Sequence, residues 1–184
     1  MLYNKINLSV AKIASKQSHR PEISGVFFTK DKTVATDSFR LVEISVPANV
    51  KAEDYPDNFA MRGVKPFIAS GEMIKAIKLD NDGVVAIKHL HDNRIEFLQG
   101  ENIINVKRID GEYPDYLSII PSGEPVAELK INAKYLSEVL DILGKLGGAT
   151  SEVTIKVFAK NKPLVIEAGS DKQRGKGLVM CIVP

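Results

Sequence analysis

The sequence contains no tryptophan and one cysteine, Cys181, so no intramolecular disulfide can form and a reducing compartment is the expected setting. No apolar run approaches the roughly 20 residues that span a bilayer. The opening MLYNKINLSV has neither a long apolar core nor a small-residue cleavage site, so no secretory leader is read there and the cytoplasm is the expected location. Charge of one sign is nearly balanced. Lys and Arg number 25 against 23 Asp and Glu, a formal net charge of +2. That balance excludes a protein that grips phosphates tightly over most of its surface, and any positive lining must be local.

Catalytic signatures are also missing. There is no P-loop, no GxGxxG after a strand, and no Ser or Cys nucleophile paired with a suitable His, so neither enzyme chemistry nor a cofactor is expected. His89 and His91 sit two apart beside Asp92, but a metal site needs three or four ligands and no second His/Cys cluster completes one. Asp110, Glu112 and Asp115 are interrupted by Gly111 and Pro114, which favours a turn over acid–base work. Cys181 lies in an apolar strand pattern and reads as a buried, inert thiol.

What is present is a unit that recurs three times: an amphipathic helix, alternating strand-like runs, and an apolar stretch closing on proline. The first, 1–47, predicts a helix over Asn7–Ser18, strands at Gly25–Phe28 and Thr33–Thr36, and an alternating strand from Leu41 to Val46 before Pro47. The second, 66–121, has Ser70 as N-cap of a helix carrying Met73, Ile74, Ile77 and Leu79. Strands follow at Gly83–Lys88, Arg94–Leu98 and Ile103–Arg108 before Leu117–Pro121. The third, 126–184, has Asn132 capping a helix with Leu136, Val139, Leu140 and Leu143 on one face. Its strands are predicted at Val153–Ala159, Leu164–Ala168 and Leu178–Val183. Lys172, Arg174 and Lys176 read as a hairpin tip, and Ala48–Lys65 as a connection. The expected fold is α+β, with helices on one face of antiparallel sheets. The expected domains are 1–121, built from modules 1–47 and 66–121, and a half-sized 126–184.

Two motifs give this pattern a family. Thr33-Val-Ala-Thr-Asp-Ser-Phe-Arg-Leu41 is similar to the TVATDxHRL strand and turn of the bacterial DNA polymerase III beta subunit, the replicative sliding clamp. Asp110-Gly-Glu-Tyr-Pro-Asp-Tyr116, running on to Ile119-Ile-Pro121, resembles the DGxFPDY segment that ends that clamp's middle domain. Arg20-Pro-Glu-Ile-Ser-Gly25 resembles the family's approach to the first strand. Asn132–Leu140 resembles a helix of the last clamp domain, and Leu178–Pro184 its terminal strand. The family has three domains of two such halves each, whereas three halves are counted here. Four copies of this chain would supply the twelve halves of a family ring.

The resemblance implies a DNA-clamp fold and a processivity or tethering role. Its implied partners are duplex DNA held without sequence preference, a DNA polymerase or other clamp-motif protein, a clamp loader, and further copies of the chain as dimer or tetramer. Helices face the hole in the family, which makes Lys12, Lys16, Lys75, Lys78, Lys134 and Lys145 the DNA-facing candidates; Lys134 and Lys145 are offset by Glu138 and Asp141. Taken singly, each of these lysines reads more readily as part of a solvated helix face, and the DNA-facing reading is carried by the set. The family's hydrophobic pocket for partner peptides maps onto Ile23, Thr36, Ser38, Phe39, Arg40, Leu41, Pro121, Leu178 and Met180. Phe39 departs from the family's usual histidine, and Ile23, Leu41 and Leu178 also suit plain core packing. The alternatives are an interaction module or decoy that keeps the pocket without closing a ring, and an unrelated nucleic-acid enzyme with fortuitous motifs.

Overall fold

The computed structural model describes residues 2–16, 19–47, 65–79, 83–159 and 162–182. The expected connection over 48–65 falls almost wholly outside them, as do the end of the predicted first helix and the closing Val183–Pro184. The chain divides into two compact units, Met1–Ile120 and Pro121–Pro184.

Unit 1 contains two modules with the same order of elements. The first is β1 (Leu2–Asn4), α1 (Lys5–Ser9), a 3-10 turn (Val10–Lys12), β2 (Gly25–Phe28), β3 (Lys32–Thr36) and β4 (Leu41–Ser45). The second is β5 (Phe67–Ser70), α2 (Gly71–Ala76), β6 (Val84–Leu90), β7 (Arg94–Gln99) and β8 (Asn102–Ile109). All eight strands join one antiparallel sheet in the order β1-β6-β7-β8-β5-β2-β3-β4. The modules exchange first strands: β1 pairs with β6, and β5 pairs with β2. Swapping the two modules maps one half of this strand order onto the other.

The main core lies between helices and sheet. Ala11, Ala14 and Ile74 from the helical side meet Val26, Phe28, Phe67, Val85 and Phe97 from the strands. Phe28 is its centre, stacked on Phe67 at 5.1 Å and edge-on to Tyr3 at 4.9 Å. Such pairs add about 0.5–1.5 kcal/mol each beyond area burial.

The first helix is shorter than predicted and begins earlier. The Asn4 side chain accepts from the amides of Ile6 and Asn7, while Asn7 Oδ1 accepts from the Asn4 amide, a reciprocal cap that fixes the start. Asn7 is therefore inside the helix. It is fully buried and donates to the carbonyls of Ile44 (3.2 Å) and Ser45 (3.0 Å), tying α1 to β4. The sequence pattern does not predict β1 and β5, because three or four residues ahead of a cap are too few to display alternation. Ser70 caps α2 as expected, through the Met73 amide. The apolar stretch after Asp115 forms a 3-10 turn, Tyr116–Ile119.

Unit 2 is one module: α3 (Ala133–Leu143) over the three-stranded antiparallel sheet β11-β10-β9. Asn132 caps α3 through the amides of Lys134 and Tyr135, as predicted. Leu136, Val139, Leu140 and Leu143 pack onto Leu164, Ile166 and Val179. β9 (Thr154–Lys156) is shorter than the predicted 153–159, and β10 spans Leu164–Gly169. The last strand is displaced: β11 runs Arg174–Val179, and Cys181 makes only an isolated bridge to Ile131. The hairpin tip is thus Ser170–Gln173, with Arg174 and Lys176 inside the strand and Lys176 ion-paired to Glu167 at 3.0 Å. Gly175 and Gly177 make this stretch look like a loop in sequence. In the fold they let α3 approach: a Cβ at Gly177 would lie 2.5 Å from Val139 Cγ1.

Candidate functional site

The turn Asp37–Arg40 between β3 and β4 carries most of the unit 1 pocket candidates and is held by its own polar groups. Asp37 Oδ1 accepts from the Phe39 and Arg40 amides at 3.1 Å each, and its Oδ2 accepts from Arg40 Nε at 2.9 Å. Thr36 Oγ1 donates to the Arg40 carbonyl (2.8 Å) and accepts from the Ser38 amide (3.2 Å). Ser38 has a positive φ of 78°, and its hydroxyl accepts from Arg20 at 3.1 Å. Burial raises the Asp37 pKa, but the Arg40 guanidinium and the two amides outweigh it, and the net shift is downward. The product is a fixed turn that holds Phe39 90% exposed.

Around it, Thr36 is buried at the strand end, Leu41 is half-buried against Val34 and Ile68, and Arg40 is exposed. Ile23 corrects the expectation. It is 1% exposed and offers no wall to a ligand, because the 3-10 turn Pro21–Ser24 turns its side chain into the protein. Arg20 and Asp37 join the turn without being among the sequence candidates. Their signal is present in the two motifs, an Asp opening a turn and an Arg ahead of Pro21.

The Asp110–Tyr116 segment packs on the same cluster, with Tyr113 and Tyr116 buried against Val34 and Ile68. Tyr113 stacks on Phe27 with ring centroids 4.7 Å apart and planes 3° from parallel. Tyr116 donates to Glu43 Oε2 at 3.0 Å, which also holds Lys32 Nζ at 2.9 Å. The Lys32 ammonium, helped by Tyr116 and opposed by burial, keeps the Glu43 carboxyl below its usual range. Burial pushes the Tyr113 phenol up. Asp110, Glu112 and Asp115 are exposed, and among the described residues no group of three or more His, Cys, Asp or Glu is placed to hold a metal ion. His91 lies just past β6 with Nε2 3.3 Å from Glu96 Oε1; the His89 side chain lies outside the described residues.

In unit 1, Lys12 ends the 3-10 turn and Lys75 lies on α2, whereas Lys16 and Lys78, expected on helices, lie just beyond these elements; all four are exposed, and among the described residues none is in an ion pair. In unit 2, Lys134 and Lys145 are exposed near opposite ends of α3. Pro121, Leu178 and Met180 are exposed, the last two at 58% and 67%. Cys181 corrects another expectation: it is half-buried, and its Sγ donates to the Lys162 carbonyl at 3.2 Å. Beyond β11 the chain has left the sheet, so nothing there covers the thiol fully.

No family model matches the chain. Among curated proteins, the beta sliding clamp of Streptococcus pneumoniae is 27% identical over 166 residues, covering 87% of this chain and 41% of that protein. The beta sliding clamp of Rickettsia bellii is 30% identical over 145 residues, covering 76% and 36%. Among solved structures, a DNA polymerase sliding clamp from Pseudomonas aeruginosa superposes with a TM-score of 0.71 at 20% identity, covering 98% of this chain and 50% of that one. The chain spans less than half the length of the curated relatives it matches. The protein has the DNA-clamp fold. Its sequence relatives are bacterial beta sliding clamps, the family that the two motifs resemble.

Proposed function

We propose that the chain is a clamp-like tethering factor that, as an oligomer, encircles duplex DNA without sequence preference and holds a DNA polymerase or other clamp-motif protein there. The supporting observation is a clamp fold in which Lys12 and Lys75, on helical elements, and Lys16 and Lys78, just beyond them, are exposed with no ion-pair partner among the described residues. A ring that holds DNA topologically gains from weak, mobile phosphate contacts, since tight ones oppose sliding. The net charge of +2 suits that role. No catalytic step is part of this reading, and a clamp loader is its further partner.

The partner-peptide residues in this proposal are, in unit 1, Thr36, Ser38, Phe39, Arg40 and Leu41 of the turn and strand ends, and, taken separately, Pro121, Leu178 and Met180 in unit 2. Exposed apolar side chains on a fixed frame give affinity, and flanking polar groups set peptide direction. Met180 adds an adaptable surface. Leu41→Asp and Met180→Asp should each abolish binding of a clamp-motif peptide in a titration while DNA retention persists. Unchanged peptide affinity in both variants would remove the pocket from the proposal.

The competing reading, an adaptor that binds the same peptides without forming a ring, differs in assembly. Solution mass at micromolar concentration separates them: a multiple of the chain supports the ring, and a strict monomer supports the adaptor.

A further inference from the structure

Unit 1 shows which surfaces a second module covers, and in unit 2 no strand covers those surfaces among the described residues. In unit 1 both strands that enter a helix pair with the other module: β1 with β6, and β5 with β2, while β5 also pairs with β8 of its own module. In unit 2 the residue entering α3, Ile131, bridges Cys181 on its own module's side, and the Ile182 amide donates to the Lys130 carbonyl. Among the described residues, the far side of 126–131 has no strand. β9 is equally incomplete: among the described residues it pairs only with β10, whereas its counterparts β2 and β6 each have a second neighbour. Val126, Val157 and Phe158 are exposed and border a groove of about 720 Å³, and Ile155 on β9 is exposed as well.

These two bare strips are complementary to each other. We infer that two copies of this chain build one shared clamp-type domain from their second units, residues 126–131 of each pairing antiparallel with β9 of the other about a two-fold axis. Unit 1 supplies the register. There the helix caps Asn4 and Ser70 pair with Val84 and Gly25, the first residues of β6 and β2. Placing the cap Asn132 opposite Thr154 sets Ile131 against Ile155, Lys130 against Lys156, Leu129 against Val157 and Glu128 against Phe158.

This register sorts the faces correctly. Ile155 pairs with Ile166 within unit 2 and so shares the helix-side face, where Ile131 and Leu129 already pack. Leu129 on Val157 takes the place that Phe67 on Phe28 fills in unit 1. On the outer face Lys130 opposes Lys156, whose charge is already matched by Glu167, and Glu128 lies diagonal to it.

The helices follow the same scheme. In unit 1 Gly71, one residue past its cap, packs on Ala14, ten past the other cap; a Cβ at Gly71 would sit 2.8 Å from Ala14 Cβ. The same steps on α3 are Ala133 and Ile142, and Ile142 is 65% exposed. A second copy supplies both missing partners at once, because each copy holds the strip that the other lacks. The inference rests on the fold and not on the clamp reading, so a dimer that fails to hold DNA leaves it standing.

The test uses the full chain with Cys181→Ser, so that introduced thiols are the only ones. Directly opposed strand residues have Cβ atoms about 4.5–5.5 Å apart, near disulfide reach. The double variant Lys130→Cys/Lys156→Cys should, on mild oxidation, run as a covalent dimer on a non-reducing denaturing gel, and each single variant as a monomer. A double variant that stays monomeric overturns the inference, and so does covalent dimer in the singles to the same extent. Independently, Val157→Lys should halve the solution mass relative to wild type while α3 amides keep their exchange protection. An unchanged mass with protection intact would contradict it.

Discussion

Phe39 stands on a turn whose polar groups are already engaged, so removing its ring costs the fold little. Phe39→Ala should change urea-unfolding stability by no more than about 0.5 kcal/mol, the usual range for an exposed side chain, and still weaken a clamp-motif peptide at least tenfold. Asn7 is the opposite case. Its side chain closes the α1 cap and supplies donors to β4 from a fully buried position. Asn7→Ala leaves buried carbonyls and an amide unpaired, at about 1–3 kcal/mol, and should lower the urea midpoint of unit 1 accordingly. Glu43 gives a pH signature. Its folded pKa is depressed, so its stabilisation is complete above the unfolded glutamate value and lost as pH falls through the folded one. Glu43→Gln should flatten the acid limb of a stability–pH curve below about pH 4.5, measured by thermal unfolding; an unchanged limb would show that the Lys32–Tyr116 clasp contributes nothing.

At the scale of elements, residues with two competing roles decide what the sequence could reveal. α3 is legible because Asn132 and the spacing of Leu136, Val139, Leu140 and Leu143 agree. The first helix misleads because Asn7, a good cap by type, is displaced from that role by Asn4 and buried. β11 is hidden by Gly175 and Gly177, which signal a loop locally but are there to admit α3. Gly177→Ala should destabilise unit 2 by about 1–3 kcal/mol through overpacking against Val139, seen as faster amide exchange in β10 and β11. Of the candidate site, the turn residues are legible through one motif. Ile23 is misplaced because pocket wall and core share the same residue types, and only burial separates them.

At the scale of the whole molecule, a clamp fold assembled from modules would be tied to DNA by enclosure more than by affinity. Lys12, Lys16, Lys75 and Lys78 exchanged together for Ala should reduce the salt dependence of duplex binding by about 0.9 in log–log slope for each phosphate that is no longer neutralised. A slope equal to wild type would move the DNA-facing surface elsewhere. The most direct test of the central claim is retention of loaded protein on a nicked circular duplex, followed through a single cut that linearises it. Encirclement predicts that at high salt the protein stays on the circle and is released once ends are created. Equal loss from circle and line at the same salt would contradict it.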